Sequence, residues 1–451
     1  MKKHTLIVIV LTFLLGLFFL LIGLFSIKIP QTLNSAFLYK SYIFKYIFII
    51  LGLGMLTLCS LSLFFSRVVK RRLYAFLDNL WLFFIVSFLC LFILSVFIQV
   101  FQQKTPSPHY SQADPILHHS QIPNTTATFM TREWNVSVYI NADGIRDDEI
   151  QDKDNFDSRI LMLGDSFTWG FGVEKEERFS ELLEKKYLEE GRRVDVINTG
   201  TVSYSPVLEY LYLKEKGLAY NPDVVILNFD MSDVWGDNEF ELLGILDNNG
   251  VLIAVPGEEK EDIKPSNIPF ASKISFLDEK IRNMFDRIYG YLPNKPQIDM
   301  PYVYNLSFNR YAITLDDEEV IQNEMEYWQT SFKYINLIRD LVEGNNATFV
   351  LVTYPYGHQI STEEWKLGRH HFGLSTTKVY SNRPEIILQK FAEESNIPFV
   401  SAFSAFKESS LYPLYFSYDG HFSTNGHKVM ADIIYKGLQE RALLVSDKIN
   451  A

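Results

Sequence analysis

The apolar positions divide this chain into two unlike parts. Three long apolar runs come first, at 5–27, 46–65 and 80–101. Each has the roughly 20 residues needed to cross a bilayer core. They predict a membrane domain over 1–103 with three transmembrane helices. A polar stretch punctuated by Pro106, Pro108, Pro115 and Pro123 follows, and predicts a linker over 104–135. Beyond it, short apolar runs alternate with amphipathic ones. Strand-like runs stand at 136–140, 160–163, 194–198, 223–229, 348–353 and 398–401. Helical spacing begins at Glu174 and recurs at 206–216, 324–341, 385–394 and 425–443. Strand alternating with helix, with continuous apolar runs such as 224–227, predicts a parallel sheet covered on both faces. The alternation lapses over 237–320, which reads as an insertion.

Charge sharpens this division. Residues 1–101 hold nine Lys/Arg and a single acid, Asp78, while the remainder holds 33 basic and 53 acidic residues. Lys2 and Lys3 precede the first run, and Arg67, Lys70, Arg71 and Arg72 fill the loop between the second and third. By the positive-inside tendency the amino terminus is cytoplasmic. Three crossings then put the rest of the chain outside the cytoplasm, as a multi-pass protein of the cytoplasmic (inner) membrane. The acidic remainder excludes nucleic acid as an expected partner, since phosphate neutralisation needs clustered Lys/Arg. Both cysteines, Cys59 and Cys90, lie in apolar runs, so neither a disulfide framework nor a cysteine metal site is expected beyond them.

The candidate chemistry starts at the strand 160–163, which breaks at Gly164 into Asp165 and Ser166. A serine at a strand-to-helix turn lies at a strand's carboxyl end, where open α/β sheets place ligands. The same residues would also make an ordinary helix-capping turn. Far along the chain, Asp419 and His421 stand two apart just ahead of the last helix, with His427 beyond them. A serine hydroxyl needs a base, usually a histidine oriented by a carboxylate. Aromatic Trp169, Phe171, Tyr204 and Trp235 lie near the proposed site and could stack on sugar rings or serve as packing. His358, His370 and His371 read as rim histidines; no metal and no cofactor is expected.

Gly-Asp-Ser-Phe-Thr-Trp-Gly after an apolar strand, a strand leading to Gly200, Asp230-Met-Ser-Asp233 after the third strand, and Asp419-Gly-His421 appear in this order. Together these blocks resemble the SGNH (GDSL-type) hydrolases, over about 136–445. Thr168 stands where the α/β-hydrolase elbow has its second glycine, so that fold is not the match. The resemblance implies a three-layer α/β/α, flavodoxin-like sheet. It further implies Ser166 as nucleophile, His421 as base and Asp419 as its orienting acid. Ser166 and Gly200 N–H groups would join the oxyanion hole, with Ser232 where the family has asparagine. Asp165, Trp169, Tyr204 and Asp233 are the expected substrate-binding residues.

The Asp-x-His spacing resembles members involved in O-acetylation of bacterial exopolysaccharides. The segment Asn141-Ala-Asp-Gly-Ile-Arg146 resembles one found upstream in membrane-attached members. The expected activity is a membrane-anchored serine esterase acting on O-acyl groups of cell-envelope glycans or lipids. Two alternatives stand beside it. One is an O-acyltransferase, which would need a membrane acyl-donor partner; the other is a non-catalytic glycan-binding or assembly protein.

Overall fold

The computed structural model describes Asn79 and residues 109–131, 133–257, 311–314, 318–372 and 374–444. The chain divides into two compact units, Met1–Thr105 and Pro106–Ala451. The three predicted spans lie outside the described residues. Among those described, no helix is long and apolar enough to cross a membrane.

The second unit begins with two antiparallel hairpins. The first pairs β1 (Ser111–Asp114) with β2 (His118–Gln121), and the second pairs β3 (Thr125–Met130) with β4 (Asn135–Ile140). The linker expected over 104–135 is therefore corrected: its described residues hold β1, β2, β3 and the start of β4. The alternation that marked 136–140 is real, because Val136, Val138 and Ile140 point inward. They bury against Trp169 in a small core of their own. The missed strands are short and rich in polar and histidine residues, so no apolar period announced them.

Then comes the doubly wound core. It runs β5 (Ser158–Gly164), α1 (Ser166–Trp169), α2 (Phe179–Glu189), β6 (Val194–Asn198), α3 (Pro206–Glu215) and β7 (Val224–Phe229). Next are α4 (Asp233–Leu243) and a small hairpin of β8 (Ile245–Leu246) with β9 (Leu252–Ala254). The insertion expected over 237–320 thus opens inside a helix, and residues 258–310 lie outside the described ones. The core resumes with α5 (Glu318–Glu343), β10 (Thr348–Thr353), α6 (Gly357–Ile360), α7 (Lys366–His371) and α8 (Arg383–Glu394). It closes with β11 (Phe399–Ser401), α9 (Phe403–Glu408) and α10 (Thr424–Glu440). The segment 357–381 carries two short helices, α6 and α7.

The sheet order is β11-β10-β7-β5-β6 and every pairing in it is parallel. All seven residues of β5 and all six of β7 are buried, as a central strand covered on both faces requires. The order is flavodoxin-like. Its reversal point lies between β5 and β7, and in open α/β sheets the crevice for ligands lies at the strands' carboxyl ends at such a point. Ser166 follows β5 and Ser232 precedes α4 after β7, so the topology places both at that crevice.

Candidate active site

The turn after β5 is built by backbone constraint. Gly164 has φ +154°, and a Cβ there would lie 2.1 Å from Thr168 Oγ1. Asp165 caps α1, its Oδ1 accepting from the Phe167 N–H at 2.8 Å. Ser166 is the first residue of α1, a position whose N–H has no intrahelical acceptor. The turn is also clamped from outside. Arg146, buried, donates from Nη1 to the carbonyls of Trp169 (3.1 Å) and Gly170 (2.7 Å), and from Nη2 to Val173 (2.7 Å). That gives the 141–146 segment a physical job: it carries the cation that satisfies three carbonyls around the serine turn. Burial, with Arg178 nearby, lowers its pKa to about 9.

Ser166, His421 and Asp419 come together. Ser166 Oγ lies 2.7 Å from His421 Nε2, and His421 Nδ1 lies 2.5 Å from Asp419 Oδ1. Asp419 Oδ1 also accepts the His421 N–H at 3.2 Å. With Nδ1–H donated to the carboxylate, Nε2 of a neutral imidazole is the lone-pair nitrogen. It faces the hydroxyl whose proton it would take. Burial pulls the His421 pKa down, but the Asp419 charge and hydrogen bond outweigh it and hold it above the usual histidine value. The same contact keeps Asp419 below the usual carboxylate range, against its burial. The imidazole sits between two rings, Phe167 at 4.7 Å and Phe171 at 4.9 Å between centroids.

Beneath the serine lies a buried acidic layer. Ser166 Oγ is also 3.2 Å from Asp165 Oδ2, and the Tyr354 hydroxyl is 3.4 Å from Asp165 Oδ1. Burial first, and the Asp230 carboxylate second, push the Asp165 pKa up to about 7. Tyr356 donates to Asp230 at 2.7–2.8 Å, and the Asp230 N–H donates to Asp233 Oδ2 at 2.9 Å. Among the described residues no group of three or more His, Cys, Asp or Glu could hold a metal ion.

Several expected roles need correction. Trp169 is 1% exposed and donates from Nε1 to Gln121 Oε1 at 2.7 Å, so it is core and not a stacking platform. Tyr204 is 3% exposed, with its hydroxyl on the His119 carbonyl at 2.7 Å. Asp165 and Asp233 are buried, holding backbone N–H groups as described. His358 is buried and its Nε2 lies 3.1 Å from Thr314 Oγ1, so it lines no rim. The side chains of His370 and His371 are outside the description. Half-buried Phe171 and exposed Trp235 are the aromatics of that group left with accessible surface. His427 is buried against Phe179 and accepts its N–H at 3.3 Å. Burial and the charges of Arg178 and Arg146 lower its pKa to about 3.

The Gly200 N–H, expected in the oxyanion hole, donates to Asn198 Oδ1 at 3.0 Å. Asn198 also gives its two amide protons to the Thr168 carbonyl (2.7 Å) and Ser180 Oγ (2.8 Å). It ties the loop after β6 to α1. Sequence reading passed over it, although a buried asparagine ending a strand two before a glycine is a usable signal. Ser232 is half-buried at the N-terminal end of α4, with its N–H on Asp230 Oδ1.

No family model matches this chain, and no curated protein matches its sequence. Several solved structures are similar in part. LAE5, an alpha/beta hydrolase enzyme from the metagenome of Lake Arreo in Spain, is 14% identical with a TM-score of 0.33, covering 62% of this chain and 94% of that one. A catalytic mutant of Axe2, an acetylxylan esterase from Geobacillus stearothermophilus, is 15% identical with a TM-score of 0.32, over 62% and 94%. A GDSL-like lipase from Bacteroides thetaiotaomicron is 14% identical with a TM-score of 0.31, over 65% and 93%. The functional reading rests on the chain's own geometry.

Proposed function

We propose that this protein is a serine esterase of the SGNH type, anchored in the cytoplasmic membrane with its catalytic unit outside. One observation carries the chemistry: a serine hydroxyl 2.7 Å from an imidazole whose other nitrogen is held by a carboxylate at 2.5 Å. Ser166 Oγ attacks the ester carbonyl as His421 Nε2 takes its proton, and Asp419 stabilises the imidazolium. His421 returns that proton to the departing alcohol, leaving an acyl group on Ser166. Water, deprotonated by the same imidazole, then releases the carboxylic acid. The Ser166 N–H and the Ser232 hydroxyl are the donors assigned to the developing oxyanion, with Gly200 engaged by Asn198. The substrate proposed is an O-acyl ester on a cell-envelope glycan or lipid. That choice is supported by the three apolar runs, the acidic remainder of the chain and the Asp-x-His spacing.

A second reading is favoured by the engaged Gly200 amide: an acyl-glycan binding protein without turnover. Losing one oxyanion donor costs on the order of 100-fold or more in rate. Hydrolysis of p-nitrophenyl acetate by the full-length chain, beside Ser166→Ala, tests both. Turnover that is lost in the variant supports the esterase, and equal rates refute it. Adding a sugar acceptor and analysing the products separates hydrolysis from acyl transfer.

A further inference from the structure

A carboxylate outside the triad is aimed at the loop that carries it. The turn between β3 and β4 is closed by Thr131, whose N–H donates to the Trp134 carbonyl at 2.9 Å. Its hydroxyl accepts from the N–H groups of Glu133 (3.1 Å) and Trp134 (3.2 Å). So held, the half-buried Glu133 reaches the far end of the chain. Its Oε1 accepts the Tyr418 N–H at 2.9 Å and its Oε2 accepts the Asp419 N–H at 2.8 Å. A single carboxylate spans two successive amides, one of them belonging to the acid of the triad. The same turn also touches the base. Trp134 meets Phe171 edge-on at 5.1 Å, and Phe171 lies 4.9 Å from the His421 ring.

We infer that Glu133 is a positioning residue for the charge relay: by holding the Tyr418 and Asp419 amides it sets the Asp419 carboxylate against His421 Nδ1. This deepens, and rests on, the serine-esterase reading. Two parallel N–H donors call for two acceptor oxygens, and only an ionised carboxylate offers them at this length. Glutamine has the same shape but presents one acceptor, and sets its NH2 against the second amide. An isosteric amide therefore fails here, whereas a residue that merely filled the turn would tolerate it. The charged and titratable groups facing His421 are Asp419 on its own loop, Asp165 ahead of α1, Asp230 after β7 and His427 in α10. None of these lies on the β3–β4 turn, so changing Glu133 acts through Asp419.

The test uses the full-length chain as wild type, Glu133→Gln, Glu133→Ala, Asp419→Ala and the Glu133→Gln/Asp419→Ala double variant. It measures kcat and KM for p-nitrophenyl acetate against pH, and follows the His421 imidazole by NMR with labelled histidine. Both Glu133 variants are expected to lower kcat by about 10- to 100-fold with KM unchanged. Both should move the His421 titration to lower pH, as Asp419 loses its hold. The double variant should be no slower than Asp419→Ala alone, since the two residues act as one unit. The inference is overturned if Glu133→Gln matches wild type. It is equally overturned if kcat falls with the titration unmoved, or if the Glu133 effect persists in full without Asp419. An inactive wild-type protein would refute the esterase reading by itself, while the imidazole titration would still decide whether Glu133 governs the Asp419–His421 pair.

Discussion

Asn198 accepts the N–H of Gly200, two residues on, and so fixes the loop that runs beside the Ser166 turn. The close approach requires glycine: a Cβ on Gly200 would stand 2.5 Å from the Trp169 N and 2.8 Å from the Thr168 carbonyl carbon, both backbone. Replacing Asn198 with alanine strands the buried Thr168 carbonyl and removes a donor from the Ser180 hydroxyl, which keeps its own bond to Glu181. The expected cost is about 1–3 kcal/mol of unfolding free energy, read from urea denaturation. An unchanged midpoint would contradict the role assigned to Asn198.

The Asp419 contact predicts how activity depends on pH. His421 must be neutral to take the Ser166 proton, and its pKa is held above the usual value of about 6.5. The acidic limb of kcat/KM should therefore lie above that value. In Asp419→Asn the balance reverses, burial pulls the imidazole down, and the limb moves to lower pH while the rate falls by up to about 10⁴-fold. A limb that stays in place would show that the carboxylate does not set the base.

Trp169 and Trp235 provide a contrast in burial. Trp169 fills the small core between the β3–β4 hairpin and α1, whereas Trp235 is 38% exposed on α4. Truncating Trp169 to alanine should cost about 3–5 kcal/mol. Truncating Trp235 should change stability by no more than about 0.5 kcal/mol. Thermal unfolding of the two variants, side by side, checks the ranking.

Asp165 gives a stability prediction with a definite sign. Its carboxyl titrates at about 7 in the folded chain, against about 3.9 in an unfolded one. Between those values the folded state keeps a proton that the unfolded state has released. Its contribution to stability is thus fully present below pH 4 and is lost as the pH rises to 7. Asp165→Asn keeps an acceptor for the Phe167 N–H and removes the titration. Relative to wild type it should gain stability from pH 4 to 7 and stay level above. A difference that does not vary with pH, measured by urea denaturation, would contradict this.

The sheet was readable because β5, β7 and β10 are continuous apolar runs bounded by turn residues, and their order follows from strand alternating with helix. The meeting of Ser166, His421 and Asp419 was legible because each sits in a short block at a strand or helix end. The substrate-facing assignments fared worse for a physical reason: proximity in sequence to Ser166 says nothing about which way a ring points. Trp169 is three residues on, and the one turn of α1 directs it into the hairpin core. The hairpins themselves are short and polar, so their pairing is a tertiary fact with no period to reveal it. Glu133 could not be linked to Asp419 from sequence, because the contact joins residues 286 positions apart.

The central claim is that His421 activates Ser166. The direct measurement treats the full-length chain, Ser166→Ala and His421→Ala with a fluorophosphonate probe, and maps the label by mass spectrometry. The account predicts label on Ser166, none on Ser166→Ala, and labelling slowed about 100-fold or more in His421→Ala. An unlabelled Ser166 in folded protein, or equal labelling without His421, would contradict it.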